Sequence, residues 1–149
     1  MRNISVERYL PAPAASIFDI LARPSMHSAF DGSGTVRSAA RGPERLEFGS
    51  RFRMSMRLAL PYRVTNTVVE FEEGRRIAWR HFGGHVWRYQ LRPHDGGTCV
   101  VETFDWSGAR SPGAIERAGF PERNRIAMTA TLERLDRLTQ VLEAVDGHG

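Results

Sequence analysis

Residues Arg75–Leu91 read "RRIAWRHFGGHVWRYQL", and how these side chains divide between two faces decides the fold. The stretch holds two of the three tryptophans, two of the five histidines and four arginines around Gly83-Gly84. Alternation separates them. Ile77, Trp79 and His81 share one face of a first strand, with Arg76, Ala78, Arg80 and Phe82 on the other. Trp87, Tyr89 and Leu91 share one face of a second, with Val86, Arg88, Gln90 and Arg92 opposite. Opposed residues of a hairpin lie on the same side of the sheet. A two-residue Gly83-Gly84 loop sets Trp79 against Arg88, which puts an arginine on the apolar face. A three-residue loop, Gly83-Gly84-His85, restores agreement by pairing Phe82 with Val86, His81 with Trp87 and Trp79 with Tyr89, and glycine suits its left-handed position. This register predicts His85 at the tip and His81 inward near the rim.

The pattern extends on both sides. In "SRFRMSMRL", Phe52, Met54, Met56 and Leu58 alternate with Arg51, Arg53 and Arg57. "RVTNTVVEF" predicts Thr65, Thr67, Val69 and Phe71 inward, with the parity of Asn66 left open. "TCVVETFDW" puts Thr98, Val100, Glu102, Phe104 and Trp106 on one face. Glu102 stands out there, because a carboxylate on an apolar face needs a partner or water; His81 and the Tyr89 hydroxyl are the two candidates. A strand over residues 3–10 and a helix after Pro13 precede this meander, and "DGSG" at Asp31–Gly34 is a turn. "SGARSPGAIERAGFPERN" reads as a loop with one helical turn. Then Met128, Leu132, Leu135, Leu138, Leu142 and Val145 recur at helical spacing in an uninterrupted stretch, Glu122–Asp146, that Gly147 ends. A sheet with one apolar face must cover it, and only this last helix is long enough. The expected class is α+β: a curved antiparallel sheet of about six to seven strands around a long C-terminal helix, with one or two short helices after the first strand, all in one domain over residues 1–149. One helix leaves a wedge beside it for a cavity.

Composition narrows the function. The chain has 21 basic and 17 acidic residues, a net charge of +4, and every basic residue is arginine. The arginines are interleaved with acids along the whole chain, which argues against a nucleic-acid partner. The arginine face of the sheet (Arg51, Arg53, Arg57, Arg80, Arg88, Arg92) reads as a solvated exterior that discourages edge-to-edge association. No apolar run approaches the roughly 20 residues that span a bilayer, and "MRNISVERYL" alternates where a signal peptide would be continuously apolar, so the expected location is cytoplasmic, with no integral membrane association. The single cysteine, Cys99, builds neither a disulfide nor a Cys-rich zinc site. His81 and His85 are four apart, but a turn separates them; His27, His94 and His148 fall in or beside loops or at the terminus. No metal site and no cofactor is expected.

"DGSGTV", "YRVTNTVVEFEEGRRIAWRHFGGHVWRYQL" and "GGTCVVETFDWS" resemble the START-like (SRPBCC) superfamily with the helix-grip fold, and most closely its small actinobacterial polyketide cyclase/dehydrase-like members. The resemblance runs nearly the whole chain in order and rests on structural residues: the turn glycines, Trp79, Thr98 and the strand pattern. It implies a cavity between sheet and long helix, with its mouth near Pro61, the Gly83–His85 turn and a Gly/Pro-rich gate from Gly108 to Glu122. The superfamily has no universal catalytic residue, so none is carried over.

The residues themselves nominate a ligand site. Phe52, Met54, Met56, Trp79, His81, Trp87, Tyr89, Glu102, Phe104 and Met128 are its candidate lining, a mostly apolar wall with few polar groups, which suits a small apolar or aromatic molecule. The first reading is binding or carriage of a lipid-, polyketide- or aromatic-like ligand by a monomer or homodimer. The second is a metal-free cyclase or dehydratase with His81 and Glu102 as acid/base candidates. The third is a protein-interaction module akin to co-chaperone or toxin-like members of the superfamily.

Overall fold

The structure is a computed structural model that describes all residues except Thr35, Leu58 and Gly147–Gly149, and the side chains of residues 37–41. The expectations for Leu58, Gly147 and His148 lie outside the described residues.

Seven strands form one antiparallel sheet in the order β1-β7-β6-β5-β4-β3-β2. They are β1 (Asn3–Leu10), β2 (Val36–Arg41), β3 (Arg51–Arg57), β4 (Pro61–Glu72), β5 (Arg76–His81), β6 (Val86–His94) and β7 (Gly97–Asp105). β2 to β7 are joined as consecutive neighbours, as the alternating pattern requires, and β1 closes the far edge against β7, with Val6 opposite Glu102. Between β1 and β2 the chain crosses from one edge to the other through α1 (Ala14–Leu21), a 3₁₀ turn (Pro24–Met26) and α2 (His27–Phe30). α1 begins behind Pro13, whose fixed φ and missing N–H suit a helix start. It buries Ile17, Phe18, Ile20 and Leu21.

α4 (Phe120–Asp146) lies on the concave face. Its buried residues are Met128, Thr131, Leu132, Leu135, Asp136 and Thr139, a stripe at 3.6-residue spacing. The buried Asp136 carboxylate accepts from Arg8 Nε at 2.9 Å on β1 and from Gln140 at 2.8 Å, which satisfies the charge that burial would otherwise penalise. Leu142 and Val145, expected on the same stripe, are exposed because the packed part of the helix ends a turn earlier. The helix begins at Phe120, two residues before the expected start, with Pro121 in its first turn. The expected loop before it contains a further helix, α3 (Pro112–Arg117).

Two registers differ from expectation. β4 turns Val64, Asn66 and Val68 inward and leaves Thr65 and Thr67 outward. A bulge between Val68 and Glu70 then flips the parity, so that Phe71 also points inward, where it meets Phe18 of α1 edge-on at 5.4 Å. Strict alternation through Phe71 gives the set Thr65, Thr67, Val69 and Phe71, and the bulge breaks it. The β5–β6 hairpin is set by Trp79 opposite Trp87 and Ile77 opposite Tyr89. Its innermost pair is His81–His85, with His81 N–H donating to the His85 carbonyl at 2.9 Å. The loop has an odd length, as predicted, but it is Phe82-Gly83-Gly84, with Gly84 at φ +98°. The slip of two residues preserves every face and moves His85 off the tip.

One contact locks α4 to the sheet's open side. At Gly32, an added Cβ would stand 2.5 Å from Thr131 N and 2.6 Å from Ala127 O, so the Asp31–Gly34 turn rests directly on the helix backbone. Gly32 N–H donates to Thr131 Oγ1 at 2.8 Å and Arg134 donates to the Asp31 carbonyl at 2.7 Å. Backbone on both sides leaves a methyl group nowhere to go. Gly32→Ala is expected to destabilise the fold by about 2–3 kcal/mol, the cost of overpacking, measured by urea denaturation; Gly113→Ala, where a Cβ meets no atom within 4 Å, is the control.

Candidate functional site

The inward face carries two aromatic groups. The deeper one is centred on Trp79, 8% exposed, with Phe52 edge-on at 5.5 Å and Tyr89 tilted at 5.7 Å. His27 stacks on Trp79 at 4.9 Å and meets Phe30 and Phe52 edge-on. Met54 is buried beside this group and Met56 is half-buried. The second group lies towards the hairpin end: Phe104, Trp106 and Met128, with Trp87 half-buried against them. His85 meets Phe104 edge-on at 5.4 Å and stacks on His81 at 4.3 Å.

Between the two groups sits one polar pair. Tyr89 and Glu102 are cross-strand neighbours on β6 and β7, and the Tyr89 hydroxyl donates to Glu102 Oε1 at 2.7 Å. Glu102 is 3% exposed, and its Oε2 is buried with no hydrogen-bond partner among the described residues. Burial drives the carboxyl up to about 8; the Tyr89 hydrogen bond opposes this and the Asp31 charge adds to it. The same burial, with the Glu102 charge and hydrogen bond, raises the Tyr89 hydroxyl well above its usual range. Of the two partners considered for Glu102, the structure selects Tyr89. His81 is two strands away, about 10 Å across the sheet, and four residues further along, about 13 Å. His81 and Glu102 are therefore not one acid/base couple.

The histidines are arranged differently from expectation. His27 is a core residue. Its Nε2–H donates to the Leu21 carbonyl at 2.9 Å, and burial lowers its pKa to about 4 against that hydrogen bond. The signal was available in "MHSAF", where His27 and Phe30 fall three apart on one helical face. His85, expected at the turn tip, is largely buried, and burial with the His81 charge lowers it to about 4. His81 is inward and half-buried as predicted, with its pKa lowered by burial. Its Nδ1 accepts from Gly83 N–H at 3.0 Å, which leaves Nε2 as its N–H. Asn66, buried and opposite both His81 and Phe52, joins this wall because of the bulge, which no local sequence signal announces.

The rim is a contact between backbones. A Cβ at Gly84 would stand 2.4 Å from the Gly108 carbonyl, and Arg110 N–H donates to the Gly83 carbonyl at 3.1 Å. α3 closes over the same end: Trp106 Nε1 donates to Glu116 at 3.3 Å, and Ile115 packs on the Phe104–Trp106 group. Two depressions, of about 370 and 150 Å³, lie elsewhere, one along Glu72–Arg76 and Gln90–Arg92, the other between α1 and the end of α4. Among the described residues, no group of three or more His, Cys, Asp or Glu is placed to hold a metal ion. No helix among them is long and apolar enough to cross a membrane. On the outer face Arg51, Arg53, Arg57, Arg80 and Arg92 are exposed as expected, whereas Arg88 is half-buried in a two-pronged ion pair with Glu70, at 2.6 and 2.9 Å.

A curved antiparallel sheet closed by one long helix, with a polar pair inside an aromatic wall, defines a helix-grip protein. The family described as polyketide cyclase/dehydrase and lipid transport matches residues 1–140, and the chain belongs to it. The chain is 40% identical over 133 residues to the uncharacterised protein Rv0088 of Mycobacterium tuberculosis, covering 83% of this chain and 58% of that one. It thus spans a little over half the length of this curated relative. Solved structures share the fold at low identity. Protein NE0264 from Nitrosomonas europaea aligns with a TM-score of 0.72 and 17% identity over 95% of this chain and 96% of that one. Protein CV1439 from Chromobacterium violaceum aligns at 0.70 and 19% over 93% and 96%.

The buried titrating groups set a pH dependence. Glu102, raised from 4.5 to about 8, holds its proton in the fold where the unfolded chain has lost it, so its contribution to stability declines from about pH 4.5 to 8. His27 and His85, lowered from 6.5 to about 4, are neutral in the fold where the unfolded chain is protonated, so theirs declines as pH falls from 6.5 to 4. Stability is expected to peak near pH 6.5 and to fall by about 2 kcal/mol by pH 8. Glu102→Gln is expected to flatten the alkaline side and, because the carboxyl's decline no longer offsets the histidines, to steepen the rise between about pH 4.5 and 6.5, read from urea midpoints across the range.

Proposed function

We propose that this chain is a single domain that binds or carries a small, largely apolar molecule between the sheet and α4, with the Tyr89–Glu102 pair as its polar anchor. The observation that carries the reading is Glu102 Oε2, a buried acceptor or donor without a partner among the described residues, beside the two aromatic groups. Leaving such a group unsatisfied costs about 1–3 kcal/mol, which a ligand hydroxyl or carbonyl would offset. The family description, which joins cyclase and dehydrase activity with lipid transport, supports the same class of ligand. Trp87, Phe104 and Met128 would form the wall nearest the rim, with Trp79, Phe52, Met54 and Met56 behind it. Access would require the Gly83-Gly84 tip to separate from the Gly108–Arg110 segment.

A metal-free cyclase or dehydratase is the second reading, favoured by the position of the Glu102 carboxyl near neutrality. Glu102 would then act as the proton donor and acceptor by itself, since His81 lies too far along the sheet to share the step.

Native mass spectrometry of protein purified from its own host is expected to show a bound small molecule. Glu102→Gln and His81→Ala should each lower its occupancy, by up to about tenfold, without altering its mass. A change in mass between wild type and Glu102→Gln indicates turnover instead. No bound molecule, together with no uptake of the neutral probe N-phenyl-1-naphthylamine, counts against both readings.

A further inference from the structure

The β3–β4 hairpin extends beyond β5 at one end of the sheet. β4 meets β5 only from Asn66 onward, so on that side residues 61–65 project about 16 Å past their neighbour. At the tip Ala59, Leu60, Pro61 and Tyr62 are all exposed, Leu60 by 76% and Tyr62 by 40%. Phe82, at the tip of the next hairpin on the same end of the sheet, is 61% exposed. Behind these apolar tips the outer face carries Arg51, Arg53, Arg57, Arg63 and Arg80, all exposed. The register sets Arg51 and Arg80 on either side of Thr67, Arg53 opposite Thr65 and Arg63 opposite Ser55, so the five form one uninterrupted patch. The nearest acids on this face are engaged elsewhere: Glu70 by Arg88 and Arg76, Glu72 by Arg75 and Arg76. Among the described residues none of the five pairs with an acid, whereas Arg76 and Arg88 beside them do, so the positive charge of the patch is left uncompensated.

We propose that this hairpin docks peripherally on an anionic bilayer, with Leu60 and Tyr62 entering the interface and Arg53, Arg57, Arg63 and Arg80 meeting the lipid phosphates. Exposed apolar side chains in front of a cationic band match the order of depths in a membrane, where hydrocarbon lies below the charged headgroups. A nucleic-acid surface would place aromatics among the basic residues; here the side chains between the arginines are Ser55, Thr65 and Thr67. Docking through this end would face the Gly84–Gly108 contact towards the lipid. The inference stands independently of whether a ligand is held inside.

The test is co-sedimentation with vesicles of 7:3 POPC:POPG and of pure POPC at 100 mM salt. Wild type is expected to bind the anionic vesicles, to leave pure POPC in solution, and to dissociate as salt rises. Each arginine near the surface is worth about fivefold in partitioning, so Arg57→Ser with Arg63→Ser should weaken binding at least tenfold and flatten the salt dependence. Leu60→Ser with Tyr62→Ser should weaken it severalfold with the salt dependence kept. Arg92→Ser, an exposed arginine at the opposite end, should bind as wild type. All these positions are exposed, and circular dichroism confirms that the variants fold. Equal binding to pure POPC, or indifference to the Leu60 and Tyr62 changes, overturns the proposal. So does tighter binding to a DNA duplex than to the vesicles, or a homodimer in sedimentation velocity that the Leu60 and Tyr62 changes dissociate.

Discussion

The fold depends on covering one apolar face. Seven antiparallel strands turn Trp79, Tyr89, Val100 and Phe104 to the same side, which α4 covers over β1 and β7 while α1 and His27 of α2 cover the part around Phe71 and Trp79. The helix is held in place at three kinds of contact. Leu132 and Leu135 fill the concave face, Asp136 is tied to β1 by Arg8, and Gly32 brings the Asp31–Gly34 turn into direct backbone contact with it. A seat fixed this closely also fixes what faces the interior. Met128 falls beside Phe104 and Trp106, and the Asp31 charge falls close enough to Glu102 to oppose its ionisation.

The interior is apolar enough that each polar group in it is a distinct problem. His27 solves its own with the Leu21 carbonyl and a neutral ring stacked on Trp79. Tyr89 solves its own with Glu102. Glu102 is half-solved, with one oxygen bonded and the other without a partner among the described residues, and burial, with the Asp31 charge, favours its protonated form. That asymmetry makes Glu102, more than any histidine, the polar anchor of the proposed binding site.

Face assignment was legible from alternation for β3, β5, β6 and β7, and with it the candidate wall: Phe52, Met54, Trp79, Trp87, Tyr89, Glu102 and Phe104 all point inward. Alternation has a period of two, so it is blind to a slip of two residues, and the β5–β6 loop slipped by two. Faces survived while pairs changed, which turned His85 from a tip residue into the stacked partner of His81. The β4 bulge defeated the same reasoning in the other direction. One extra residue exchanges the two faces, and nothing in "RVTNTVVEF" marks where it sits.

The sequence by itself determined the element order, the α+β class, the arginine exterior and aromatic interior, and the need for one long covering helix, because periodicity and turn residues are local properties. Only the tertiary structure decided which polar groups meet. Glu102 pairs with Tyr89, thirteen residues away, while His27 reaches Trp79 from the far side of the chain crossing. It also decided that five arginines spread over three strands become one patch beside an apolar tip. Such contacts depend on register, bulges and the seating of α4, which are settled by packing between elements distant in the chain.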